Sequence, residues 1–155
     1  MIAVIGNEWD LAYRDVVEEL KNEGFVVEAI ESGEEDPGRF GEMKNVLWKV
    51  RSPRDLVSLM GTREVQEAQA RIVSGLSLAD CIVVVSAGTT QCDWALGYAA
   101  GCHCPALIYA GMAFMLSPAA LLAGNICTNL EQVVTTAKHI CAGLDYDGDE
   151  GEGGG

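Results

Sequence analysis

Residues Cys81-Ile82-Val83-Val84-Val85 form an unbroken apolar run in which four of five side chains are β-branched. A strand with one wet face alternates polar and apolar residues, so a run without alternation has both faces covered. That places it in the middle of a parallel sheet with helices on either side. Met1 to Gly6 repeats the pattern and ends in glycine. After Asn7-Glu8-Trp9-Asp10, apolar residues Leu11, Val16, Val17 and Leu20 recur at helical spacing, and Gly24 stands where a helix C-cap glycine belongs. Phe25 to Ile30 then reads as a second strand, and the right-handed crossover rule sets it parallel to and beside the first.

The remaining elements follow from the same signals. Residues 31 to 53 carry Gly33, Pro37, Gly38, Gly41 and Pro53 around a short apolar patch at Val46-Leu47-Trp48, and read as a long loop of the lid or oligomer-contact kind. From Pro53 a helical pattern runs to Leu76 with a break near Gly61-Thr62, where Thr62 is placed to cap the second segment. A small hydroxyl-rich turn, Ser86 to Thr90, follows the central strand, and a helix is predicted from Asp93 to Gly101. Pro105 to Tyr109 is a strand, Met112 to Leu122 a helix interrupted at Pro118, and Gly124 to Cys127 a short last strand. Asn129 caps a helix from Leu130 to Cys141. The expected fold is α/β, a three-layer Rossmann/flavodoxin-like arrangement with a mostly parallel sheet of about five strands.

With 155 residues, 49% of them hydrophobic, and a mean hydropathy of +0.16, the chain can fill one core and not two. A single domain is expected over residues 1–142. Residues 143–155 are an acidic, Gly-rich segment too polar to order, holding Asp145, Asp147, Asp149, Glu150 and Glu152. The net charge is −13, and ten basic residues scattered among twenty-three acidic ones form no patch for a phosphate backbone, so nucleic acid is excluded as a partner. No apolar run approaches membrane-spanning length, and the opening residues read as a strand and not as a leader peptide. Six cysteines fall mostly inside predicted strands and helices, as expected of reduced thiols in a cytoplasmic protein. Cys102-His103-Cys104 lacks a second ligand pair at metal spacing, so neither a metal nor a cofactor is expected.

In an open parallel sheet, ligands sit outside the carboxyl ends of the strands, where the strand order reverses. Two loops are favoured. Gly6, Asn7, Glu8 and Trp9 follow the first strand, with Glu8 a candidate acid and Trp9 a candidate stacking partner. Ser86, Gly88, Thr89 and Thr90 follow the central strand and lead into a helix whose first amides suit a phosphate or a sugar hydroxyl. Each has a plainer use: Thr89 or Thr90 as a helix cap, Glu8 as a solvated first-turn acid, and the tryptophans Trp9, Trp48 and Trp94 as packing.

The order of strand, small turn, Asp93-Trp94-Ala95-Leu96-Gly97-Tyr98-Ala99-Ala100-Gly101 and Pro105-Ala106-Leu107-Ile108-Tyr109 resembles the nucleoside 2-deoxyribosyltransferase family of short phage and bacterial type. There "ADxxVVV", a short loop and "ELGYAxAxGKPV" follow one another. Ala79-Asp80-Cys81 to Val85 fits the strand. Leu121 to Asn125, with Asn129-Leu130-Glu131-Gln132-Val133, fits the C-terminal end, so that residues 76 to 135 are covered. The resemblance implies cleavage of the N-glycosidic bond of a deoxynucleoside by a helix-borne Glu, through an oxocarbenium-like transition state. At that Glu position this chain has Ala95, and at a second acidic position Ile72.

Asp93 and Glu8 are therefore the candidate catalytic acids, although Asp93 is equally suited to cap the helix. Tyr98 is a candidate ligand contact whose plainer use is packing, with its hydroxyl bonded to a neighbour. Asn125 matches a polar element that in relatives reaches a neighbouring subunit's ligand, which implies a homo-oligomer. The sequence supports three readings: a transferase or nucleotide N-glycosidase acting on a nucleoside or its monophosphate, a non-catalytic module binding a nucleotide or ADP-ribose-type ligand, and a structural or inhibitory partner protein.

Overall fold

The structure, a computed structural model, describes residues 1–7, 9–31, 49–85, 90–110 and 118–147. Its elements are β1 (Ile2–Gly6), α1 (Leu11–Asn22), β2 (Val27–Glu31), α2 (Pro53–Met60), α3 (Arg63–Ser77), β3 (Cys81–Val85), α4 (Thr90–Gly101), β4 (Ala106–Tyr109), a 3-10 turn (Pro118–Leu122), β5 (Asn125–Cys127) and α5 (Leu130–Asp147). The five strands make one sheet in the order β2-β1-β3-β4-β5, and every adjacent pair is parallel. The expected α/β architecture is thus present, with β3 at its centre.

The pleat explains why β1 and β3 are apolar throughout. Ile2, Val4, Cys81, Val83, Val85 and Leu107 point to one face, where Tyr13, Val16 and Leu20 of α1 and Val133, Val134 and Ala137 of α5 cover them. Ala3, Ile5, Ile82, Val84 and Ile108 point to the other, under Cys92, Ala95, Leu96 and Ala99 of α4, with Leu76 of α3 and Ala120 of the 3-10 turn. Nine of the ten residues of β1 and β3, all but Gly6, contribute side chains to these two cores, so neither strand has a place for a charge.

Helix ends follow local chemistry. Asp10 caps α1 by accepting from the Ala12 amide at 3.0 Å. Gly24, at φ 92°, closes α1: its amide donates to the Lys21 carbonyl at 3.0 Å and that of Phe25 to Leu20 at 3.1 Å. α4 ends in the same motif with His103, at φ 56°, in the left-handed position; Cys104 N donates to the Ala99 carbonyl at 2.9 Å. Asn129 caps α5 through the Gln132 amide at 2.9 Å, and Gln132 Oε1 accepts from the Thr128 amide at 2.8 Å.

Several boundaries differ from the sequence reading. The break near Gly61-Thr62 separates α2 from α3 as expected, but Thr62 makes no side-chain cap; its hydroxyl donates backward to the Leu59 carbonyl at 2.7 Å. α4 begins at Thr90, three residues before the expected start, and α5 runs to Asp147 instead of stopping at Cys141. Pro118 opens a 3-10 turn, since its ring supplies the φ of a first helical position and removes an amide that would have no partner there. The loop proposed for residues 31–53 and the helix start at Met112 lie largely outside the described residues.

Candidate functional site

The strand order reverses between β1 and β3: the chain leaves β1 toward β2 on one side and later builds β3, β4 and β5 on the other. The carboxyl ends of these two strands are Gly6 and Val85, and the crevice beyond them is the candidate site.

On its β1 side the backbone is folded tightly on itself. Asn7 Oδ1 accepts from the Trp9 amide at 3.0 Å, and the Asn7 carbonyl accepts from the Asp10 amide at 2.9 Å, an Asx-turn inside a β-turn that delivers Asp10 to the cap of α1. Asn7 is exposed, and Trp9 lies 68% open to solvent, so Trp9 is no part of the core. Gly6, Asn7 and Trp9 are therefore brought together at this edge. Glu8 lies outside the described residues.

Gly6 has a reason the sequence reading did not supply. A Cβ there would meet Tyr13 Cδ2 at 2.6 Å, Tyr13 Cγ at 3.2 Å and Val85 Cβ at 3.2 Å. Tyr13, one turn into α1 and only 4% exposed, lays its ring across the end of β1 on the α1 face of the sheet, beside Val85. The glycine makes room for an aromatic wall. A bulky aromatic in the first turn of a helix that follows a glycine-ended strand is the signal that pointed to it.

On the β3 side, Ser86, Gly88 and Thr89 lie outside the described residues, and Thr90 is the first residue of α4. Because α4 starts there, Asp93 is held inside the first helical turn and not at the cap position; it is half-buried. Ala95 follows it by about 200° of helical rotation. Ala95 is fully buried against the sheet among Ile5, Ile82, Val84 and Ile108, so the position at which the resemblance has a nucleophilic Glu faces the core.

Two predicted ligand contacts stand elsewhere. Tyr98 is eight residues along α4 from Thr90, about 12 Å toward the amino end of the sheet. It stacks on Trp94, with ring centroids 5.7 Å apart and planes 27° apart. Its hydroxyl shares a hydrogen bond with Cys102, and burial followed by that bond pushes the phenol above its ordinary pKa. Asn125 opens β5 level with Leu107, Val83 and Val4, two residues below the carboxyl edge, on the outermost strand. Within one chain neither reaches the β1/β3 crevice.

None of the six cysteines is in a disulfide. Cys104 donates its S–H to the Ala79 carbonyl at 3.4 Å while Cys102 is exposed beside Tyr98, so the two thiols of Cys102-His103-Cys104 have separate partners. Among the described residues no group of three or more His, Cys, Asp or Glu side chains is assembled to hold a metal ion. Burial pushes the Cys81 thiol up to about 12, with Cys104 the next contributor. Among the described residues no helix is long and apolar enough to cross a membrane. No protein-family model matches the chain, and no curated protein matches it in sequence.

Proposed function

We propose that this chain is a nucleoside 2-deoxyribosyltransferase-like protein that takes up a deoxynucleoside or its monophosphate between the carboxyl ends of β1 and β3. The observation that carries the reading is the reversal of strand order at Gly6 and Val85, with the amino end of α4 beginning five residues beyond β3. The α4 amides supply anion-binding dipoles without net positive charge, as an acidic protein needs if it is to hold a phosphate. Exposed Trp9 at the opposite lip offers a flat apolar surface for a base, where stacking contributes about 1–3 kcal/mol. Six cysteines with no disulfide among them fit work in a reducing cytoplasm.

Binding without bond cleavage is the reading favoured here, because Ala95 is both unreactive and sealed in the core. Cleavage is the second reading, and the half-buried Asp93 in the first turn of α4 favours it, with Glu8 the alternative acid. Equilibrium dialysis with deoxynucleosides and deoxynucleoside monophosphates, followed by chromatography for free base, separates the two. Saturable binding with intact ligand supports the module. Base release that disappears in Asp93→Asn or Glu8→Gln supports catalysis. Absence of any binding refutes both and leaves the third reading, a structural or inhibitory protein.

A further inference from the structure

The amino edge of the sheet, opposite the proposed crevice, carries a second cluster of chemically capable side chains. Tyr98 and Cys102 lie at the end of α4, Cys104 leads into β4, and Ala79 and Asp80 lead into β3. The turn that joins α4 to β4 is tightly held. The amide of Cys102 donates to the Tyr98 carbonyl at 3.0 Å, that of His103 to Ala100 at 3.3 Å and that of Cys104 to Ala99 at 2.9 Å. His103 stands between the two cysteines at φ 56°, in the left-handed region.

That conformation sets how far apart the cysteines are. Left-handed helical backbone mirrors the right-handed form, so the residues flanking His103 are separated like positions i and i+2 of an α-helix, about 5.4 Å between Cα atoms. Extended backbone would put them about 6.7 Å apart. Disulfides need roughly 4.4–6.8 Å and are commonest at about 5.5–6 Å. The thiols also share one neighbourhood. Cys102 is exposed and bonded to the Tyr98 hydroxyl, while half-buried Cys104 donates to the Ala79 carbonyl at 3.4 Å. Burial, then Asp80 and then Cys102 push the Cys104 thiol above its ordinary pKa, so the two sulfurs feel each other. Cys104 packs on the α4 face of the sheet, and Cys81 and Cys127 on the α1 and α5 face, so the sheet itself separates those two from it.

We propose that Cys102 and Cys104 are a reversible modification site, closed to a disulfide by a low-molecular-weight disulfide of the glutathione type and reopened by the corresponding thiol. Exposure makes Cys102 the point of entry. Its thiolate attacks one sulfur of the reagent, a mixed disulfide forms, the reagent's own S–S bond breaks, and one reagent thiolate leaves and takes a proton. Cys104 then gives its proton to solvent and attacks Cys102 Sγ. The second S–S bond forms, the mixed disulfide breaks, and a second reagent thiol leaves. Two protein thiols and one reagent disulfide have become one protein disulfide and two reagent thiols. Closure releases the Ala79 carbonyl and the Tyr98 hydroxyl from their sulfur partners, so reduction restores two bonds, as suits a transient disulfide in a reducing compartment. The inference is independent of the nucleoside reading.

Equilibration of the full chain in mixtures of reduced and oxidised glutathione tests it, with an acid quench, alkylation by iodoacetamide in denaturant, and mass spectrometry of a chymotryptic digest. Cleavage after Tyr98 and Tyr109 releases residues 99–109, which hold Cys102 and Cys104 and no other cysteine. In oxidising mixtures that peptide should be two hydrogens lighter and carry no alkyl group; in reducing mixtures it should carry two. Cys104→Ser should leave one glutathione on Cys102. The folded chain should close at an oxidised-glutathione level about tenfold below that needed by the same chain unfolded in urea, because the fold holds a turn that histidine seldom adopts unaided. His103→Gly, which accepts positive φ, should keep that advantage. Both thiols alkylated throughout the series, glutathione that stays on Cys102 of the wild type, a bond from either residue to another cysteine, or folded and unfolded chains closing alike overturns the inference.

Discussion

Replacing Gly6 by alanine tests whether the end of β1 is shaped by Tyr13. The backbone there is not in the left-handed region, so alanine meets no conformational barrier and the cost is purely steric. The new methyl would sit 2.6 Å from Tyr13 Cδ2, about 1 Å inside the ~3.5–4.0 Å at which carbon atoms rest. The ring is buried against Val85 and carried by a helix that also fills the core with Val16 and Leu20, so it cannot yield without moving α1. Overpacking of this kind costs about 1–3 kcal/mol, and the lower chain entropy of unfolded alanine returns about 0.4–1 kcal/mol. The net expectation is a loss of about 1–2 kcal/mol, read as a lower urea midpoint at unchanged slope, or a fall in Tm of about 3–8 °C. In a Tyr13→Val background, which removes the ring carbons, the same substitution should cost less than ~0.5 kcal/mol. A neutral or stabilising Gly6→Ala, or a penalty that ignores Tyr13→Val, would refute the assignment.

Three further outcomes are expected. The raised Cys81 pKa means that the folded chain keeps a proton the unfolded chain gives up, so stability is intact below pH 9.0 and declines as pH rises from 9.0 toward about 12. Urea midpoints measured across that window should fall more steeply in the wild type than in Cys81→Ala. Asn129→Ala removes the cap on α5 and should cost about 1 kcal/mol, with the same measurement showing no change if the 2.9 Å bond to Gln132 is unimportant. Ala95→Glu should lose on the order of 3 kcal/mol or more, because it places a carboxylate in an apolar core, and chromatography should detect no base release from it.

What the sequence disclosed was whatever depends on a short window. The runs at 2–6 and 81–85 are apolar because both faces of those strands are covered, and their shortness and β-branched content set them apart from a buried helix, so the sheet and its central strand were readable. Gly24 and Asn129 were readable for a related reason: capping is settled by bonds spanning three to five residues. Thr62 shows the limit, since its hydroxyl had two backbone partners within reach and took the carbonyl behind it. The start of α4 was placed late because Asp93 and the threonines before it are all residues that cap helices, and the sequence does not choose among them. Gly6 was noticed and its role was not, because Tyr13 reaches it only after α1 has docked on the sheet.

The burial of Ala95 bears on more than one residue's role. A helix that covers a sheet presents one face inward along its whole length, so a position in its second turn that is buried in the same core as Ile5 and Ile82 can approach a ligand only if the helix rotates or the crevice extends under it. Rotation by the 100° that separates neighbouring residues would expel Leu96 and Ala99 from the core, both now fully buried. Among the described residues of α4, an acid working at the β1/β3 edge must therefore come from the first turn of the helix. Asp93 meets that condition by its place in the first turn, whereas no residue between Leu96 and Gly101 does. On the proposed reading, the buried alanine is what separates holding a nucleoside from breaking its glycosidic bond.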